Sequence, residues 1–412
     1  MEPAPRSVFR HRDFSLFLVA LVTEAFALQM SFVAIGWQVY SVRESPLDLG
    51  LVGLAEFLPL LLFALPAGQL ADRLPRRNLL TVMMSLNLVV LGGLLVVTVS
   101  DAGTVWPFFT LAFVQGVGSA IGAPAGRALT PSLVPQEILV SALAQRSIAL
   151  GLSSVVAPAV GGILFAINAE LLYAVAIALS MVALGCVLGL RSGRAPAAEG
   201  AVGFDEVMAG VRLIKRTNVL LGAISLDLFA VLFGGAVALL PIFAKDILEV
   251  GPTGLGFLRA APAVGSLIAA AIIARYPIRR RAGPKLFFVV AGFGICMVVF
   301  GLSRQMWLSM LALALGAGLD MVSVVLRQTI LPLVTPDEVR GRVNAVEMVF
   351  ISASNELGAF ESGVAAALIG AVPAVVLGGV ATVVVAGVWW KLFPSLARVD
   401  RLDDLRPVAV EA

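Results

Sequence analysis

The chain has 412 residues, 59% of them hydrophobic and only 13% charged, with a formal net charge of +3 and a mean hydropathy of +1.00. Such proportions exclude a soluble multidomain protein and a nucleic-acid binder, and they describe a polytopic membrane protein. One histidine, His11, two scattered cysteines, Cys186 and Cys296, and no Walker-type phosphate loop leave no material for a metal site, a nucleotide cofactor or a nucleophilic triad, so no enzyme is expected.

A span needs roughly 20 mostly apolar residues, and in lipid only helices or closed barrels satisfy their own backbone. Twelve runs meet that description, at 14–40, 48–71, 78–99, 104–126, 143–167, 169–190, 218–244, 253–274, 285–302, 306–327, 345–369 and 373–392. Residues 1–13 form a basic cytoplasmic lead-in whose Arg6, Arg10 and Arg12 meet lipid headgroups. Span 1 carries Glu24, Phe26 and Gln29, and span 2 carries Glu56. Between spans 2 and 3 stand Gly68, Asp72, Arg73, Pro75, Arg76 and Arg77. Gly68 lets another helix come close and Asp72 can join the arginines in an ion network, whereas a plain positive-inside anchor would need only the arginines. Span 3 contains Asn87, span 4 contains Gln115 followed by Gly116 and Gly118, and span 5 contains Pro158, Gly161 and Gly162.

The apolar rhythm stops at 191–217, a cytoplasmic linker whose second half puts Phe204, Val207, Met208, Val211 and Ile214 on one helical face, as an interfacial helix would. The second half then repeats the first. Glu24, Phe26 and Ala27 align with Asp227, Phe229 and Ala230, and the Pro131 to Glu137 loop aligns with Pro332 to Glu338 at nearly the same offset. The loop 275–285 stands where a second opening hairpin belongs and keeps only its positive charge. Domains are therefore expected at 1–13, 14–190 (six helices), 191–217, 218–392 (six helices) and 393–412, an all-α membrane protein of two pseudo-symmetric bundles.

The hairpin resembles the G-x-x-x-D-R-x-G-R-R/K loop of the major facilitator superfamily, with Pro75 in place of its second glycine, and the six-plus-six pattern and internal repeat extend the resemblance over nearly the whole chain. Gln115, Gly116 and Gly118 resemble part of the family's fourth-helix pattern, although Ala112 occupies the position of its arginine. Pro158, Gly161 and Gly162 resemble the exporter pattern G-P-x-x-G-G. The paired Pro-x-x-x-Pro-x-Glu loops, Arg340 to Asn344 and Ser354 to Gly358 are similar to the enterobactin-exporter-like branch, which also resembles macrolide-efflux members.

Charges inside spans cost roughly 2.5–3.5 kcal/mol each by insertion scales, so those present make the shortlist of functional groups. The resemblance implies that spans 1, 4, 7 and 10 line a cavity. Glu24, Asp227, Asp320 and Glu356 are proton-coupling candidates, with Asp227 ahead of Glu24 because Glu24 has Gln29 on its own helix. Asp320 has Arg327 seven residues on, a candidate salt-bridge partner. Glu56, Arg259 and Glu361 are expected to pair between bundles. Phe26, Gln29, Gln115, Phe229 and Phe233 are substrate-cavity candidates, and Gly68, Asp72, Arg73, Arg76 and Arg77 are the conformational switch.

The expected function is proton-coupled export of an amphipathic small organic molecule, drug or siderophore-like, by a monomer in the cytoplasmic (inner) membrane; the partners are substrate, protons and lipids. An uptake symporter, a lipid flippase and a non-transporting scaffold are the alternatives. Of the 29 lysines and arginines only Arg43, Lys245 and Arg304 fall on the far side, with Arg259 inside a span, so both termini are expected in the cytoplasm. Cysteine labels placed at Ser7 and Glu199 should then resist an impermeant reagent outside intact cells; labelling of either overturns the orientation.

Overall fold

The computed structural model describes residues 8–101, 103–191, 204–402 and 405, and within them leaves out the side chains of 64–73, 204–207, 209–210, 337–338, 344–345, 348–349 and 352. The switch residues Gly68, Asp72 and Arg73 thus lie outside the described side chains, as do much of the lead-in and the first half of the linker.

Helices α1 (Arg12–Arg43), α2 (Pro46–Arg73), α3 (Arg76–Val99), α4 (Trp106–Leu133), α5 (Leu139–Ile167) and α6 (Ala169–Leu188) occupy the first six expected spans. Their ends follow local chemistry. Asn168 holds an extended backbone and its Oδ1 accepts from the N–H groups of Glu170 and Leu171, which caps α6. The linker contains α7 (Phe204–Arg216), and its Ile214 is buried against Leu220, Leu331 and Val343. Val211 packs against the same core and Met208 is exposed, so the C-terminal part of the α7 apolar face meets protein.

The seventh span is not one helix. Helix α8 (Asn218–Phe233) stops before Gly234 and Gly235, a 3-10 turn (Ala236–Leu239) and α9 (Leu240–Ile242) follow, and a π-helical turn (Phe243–Ile247) completes the run. Tight backbone approaches surround the break. A Cβ on Gly235 would stand 2.5 Å from the carbonyl of Gly358, and one on Gly378 would stand 2.2 Å from that of Phe233. Then come α10 (Gly251–Arg275), α11 (Ala282–Leu302), α12 (Met306–Val334), α13 (Asp337–Ile369), α14 (Ala371–Leu392) and the short α15 (Pro394–Ala397). Among the described residues, eleven segments are long and apolar enough to cross a membrane. The remaining expected span falls in α13, which at 33 residues has the length but carries Glu347, Glu356 and Glu361 and is less apolar.

By packing, the chain forms two units: Met1–Ala201 with Val250–Ala260, and Val202–Glu249 with Ala261–Ala412. Within the first, α1 packs on α5 and α6, and α3 on α4 and α6; within the second, α8 packs on α13 and α14, and α11 on α12 and α14. These are the same neighbour pairs six spans apart, so the sequence repeat is a repeat of packing. Glycines mark equivalent crossings. A Cβ on Gly116 of α4 would collide with the carbonyl of Glu56 on α2, and one on Gly265 of α10 with that of Ala314 on α12.

Candidate functional site

Three polar centres interrupt the apolar interior. In the first unit, Glu24 of α1 is buried among α3 and α6: Asn87 Nδ2 donates to its Oε1 at 2.7 Å and Ser180 Oγ donates to its Oε2 at 2.9 Å. Among the described residues, nothing donates to the buried Asn87 Oδ1. On the same three helices, the Tyr173 hydroxyl donates to Gln38 Oε1 at 2.5 Å and Gln38 Nε2 donates to Thr98 Oγ1 at 2.8 Å. Glu24 therefore faces the interior of its own unit and is held by α3 and α6, not by Gln29. Phe26 and Gln29 are half-buried on α1.

The second centre joins α8 to α12. Asp227 and Arg327 are 4% and 3% exposed, and Arg327 Nη1 lies 2.6 Å from Asp227 Oδ2. Asp320 on α12 and Glu347 on α13 both stand within electrostatic reach of Asp227 and Arg327. The guanidinium thus bridges Asp227 and is felt by two further carboxyls at longer range. The direct bridge of Arg327 goes to Asp227 on the facing helix, while Asp320, seven residues and about 10 Å along α12 at roughly 1.5 Å per residue, feels the same guanidinium at longer range, as a member of a charge relay would.

A third centre gathers at the start of α10, inside the first unit. Arg259 Nη1 donates to the carbonyl of Phe32 at 2.8 Å, its guanidinium lies 5.9 Å from the Phe32 ring centroid, and Glu56 is within electrostatic reach. Gln115 Nε2 donates to Glu56 Oε1 at 3.3 Å. Beside it α5 meets α10 backbone to backbone, since a Cβ on Gly162 would stand 2.6 Å from the carbonyl of Pro252 and 2.9 Å from the Cα of Gly256.

Other candidates are placed differently. Phe229 and Phe233 stack at 6.2 Å, and Phe229 lies 5.1 Å from Trp389 of α14, whose Nε1 donates to Ser225 Oγ at 2.9 Å. Those rings pack within the second unit and stay half-buried. Glu356 and Glu361 are half-buried on α13. Arg76 and Arg77, at the start of α3, donate to the carbonyls of Ala128 and Leu188, both at 2.6 Å, and so hold the ends of α4 and α6. Sequence reasoning missed Ser180, Tyr173 and Thr98, because a hydroxyl in an apolar run gives no sign of what it faces; Asn87 did, as a lone amide in a span.

Helical spans in two repeated units, with buried ionisable groups inside them, define a membrane transporter. Residues 4–407 match the family model described as "Transmembrane secretion effector", and the chain belongs to that family, a branch of the major facilitator superfamily. The enterobactin exporter EntS of Shigella boydii serotype 18 is 27% identical over 371 residues, covering 90% of this chain and 85% of that protein, and EntS of Escherichia coli O157:H7 matches to the same extent. Among solved structures, a bacterial homolog to the human lysosomal transporter Spinster, in an inward-facing and unoccupied conformation, superposes with a TM-score of 0.74 at 15% identity, covering 98% of this chain and 100% of that one. A bacterial homologue of the iron transporter ferroportin, inward-facing, gives 0.69 at 15% identity over 95% and 100%. Both likenesses concern the fold. The chain is a multi-pass membrane transporter and not an enzyme.

Proposed function

We propose that this transporter is a proton-coupled secondary active exporter of an amphipathic organic molecule, working by alternating access as a monomer in the inner membrane with both termini in the cytoplasm. The observation that carries the reading is the second polar centre, where Arg327 can balance one of the three carboxyls of Asp227, Asp320 and Glu347. A low-dielectric interior does not tolerate the remaining charge unbalanced, so protons or a cationic group on the substrate complete the balance. Because Asp227 already has its cation at 2.6 Å, Asp320 is the exchangeable member, a change from the order the sequence suggested. Export as the direction rests on the secretion family and on the EntS relatives.

The test uses inside-out vesicles given a panel of amphipathic compounds from outside and an imposed proton gradient. Acid inside is expected to drive accumulation, and Asp320→Asn is expected to remove that accumulation while exchange without a gradient continues. Accumulation by right-side-out vesicles with acid outside would establish an uptake symporter, and movement of long-chain lipids alone would establish a flippase.

A further inference from the structure

The loop between α10 and α11 holds Arg279, Arg280 and Arg281 and lacks an acid anywhere between Arg275 and Lys285, whereas its counterpart in the first half holds Asp72. The missing carboxylate stands next to it all the same. After α14 the chain turns through α15 and returns across the start of α11, where the Arg281 N–H donates to Asp400 Oδ1 at 3.0 Å, the Ala282 N–H to the Asp400 carbonyl at 3.2 Å and the Gly283 N–H to the Val399 carbonyl at 2.9 Å. Helix starts leave such N–H groups without intrahelical partners, and an anion there also meets the positive end of the helix dipole. Arg281 itself holds φ 56, a left-handed conformation unusual for a residue with a Cβ, and the Asp400 bond fixes it there.

The fit is specific to this sequence. A Cβ at Gly283 would stand 2.0 Å from the carbonyl of Leu396, so the tail can seat only on glycine. Leu396 is fully buried, and Val399, Leu402 and Leu405 pack into the same core as Leu286 and Phe287. The Arg280 Nε to Asp400 Oδ2 approach, 4.0 Å and half in water, adds little energy and serves to orient the loop.

We infer that the C-terminal tail completes the second cytoplasmic hairpin, with Asp400 acting there in the role that Asp72 has in the first, so that the tail is a working part of the transport machinery. Asp400 is thus a positioning residue, acting through the α10–α11 loop. The inference predicts a shared signature for Asp400→Asn and Asp72→Asn: the maximal rate of proton-driven flux falls several-fold, the half-saturating concentration holds, and the melting temperature in detergent stays near that of the wild type. Asp400→Glu should restore the rate. In Asp400→Ala, which removes the acceptor of the Arg281 N–H, hydrogen exchange at Arg281, Ala282 and Gly283 should rise, and Gly283→Ala should do likewise by unseating Leu396. Wild-type flux in both Asp400→Asn and Asp400→Ala, or unaltered exchange at those amides, overturns the inference. If the wild type moves no compound of the panel, that result counts against the exporter reading, and the exchange measurement alone decides this one.

Discussion

Arg327→Ala is expected to be among the most damaging single substitutions in the chain, costing about 3–5 kcal/mol, the range seen when one partner of a buried ion pair is removed. The reason is the imbalance of the second centre. Without the guanidinium, Asp227 at 4% exposure loses its cation at 2.6 Å, and Asp320 and Glu347 lose an attractive positive charge as well. Asp227→Asn should be milder, because the amide oxygen can still accept from Arg327 Nη1 while Asp320 and Glu347 keep the guanidinium in a negative field without bridging it. Melting of purified protein in detergent distinguishes the two. Equal losses from Arg327→Ala and Asp227→Asn would mean that the field of Asp320 and Glu347 does not offset the guanidinium, and the coupling role assigned to Asp320 would fall with that result.

What the sequence made legible was set mostly by lipid. Apolar runs of span length have few alternatives in a bilayer, and most helix ends, such as the α6 start capped by Asn168, came within a few residues of expectation. Charge misled elsewhere: α4 and α12 run past Arg127 and Arg327 to Leu133 and Val334, and α13 begins at Asp337 rather than 345. The break after Phe233 was not legible. Two adjacent glycines are common in spans, and only the close passage of Gly358 and Gly378 gives this pair its meaning. Partners across helices were harder still. Glu24 and Asp227 occupy matching places in the repeat, yet one is held by an amide and a hydroxyl from α3 and α6 and the other by an arginine from α12. Position along a helix is periodic and readable, whereas the facing residue depends on crossing geometry. Phe229 shows the same limit: its spacing from Phe233 on α8 was plain, but Trp389, whose ring it meets, lies far along the chain.

That difference between the two acids makes Glu24 the sharper case. Glu24→Ala leaves the Asn87 amide and the Ser180 hydroxyl buried without their acceptor, at a cost of about 1–3 kcal/mol for each unsatisfied group. Glu24→Gln need not do so. The new carbonyl can keep accepting from Asn87 Nδ2, and the new amide can donate to Ser180 Oγ, whose hydroxyl accepts once its own hydrogen turns away. The glutamine variant is therefore expected to melt close to the wild type and the alanine variant well below it. If Glu24 carries a proton during the cycle, Glu24→Gln will also lose proton-driven accumulation while keeping substrate binding, since an amide preserves the hydrogen bonds but has no proton to exchange. Proton release on substrate addition in detergent decides between the two roles: release equal to the wild type from Glu24→Gln makes Glu24 a structural fastener of α1, α3 and α6 and leaves coupling to Asp320, whereas diminished release places one carrier in each half of the molecule.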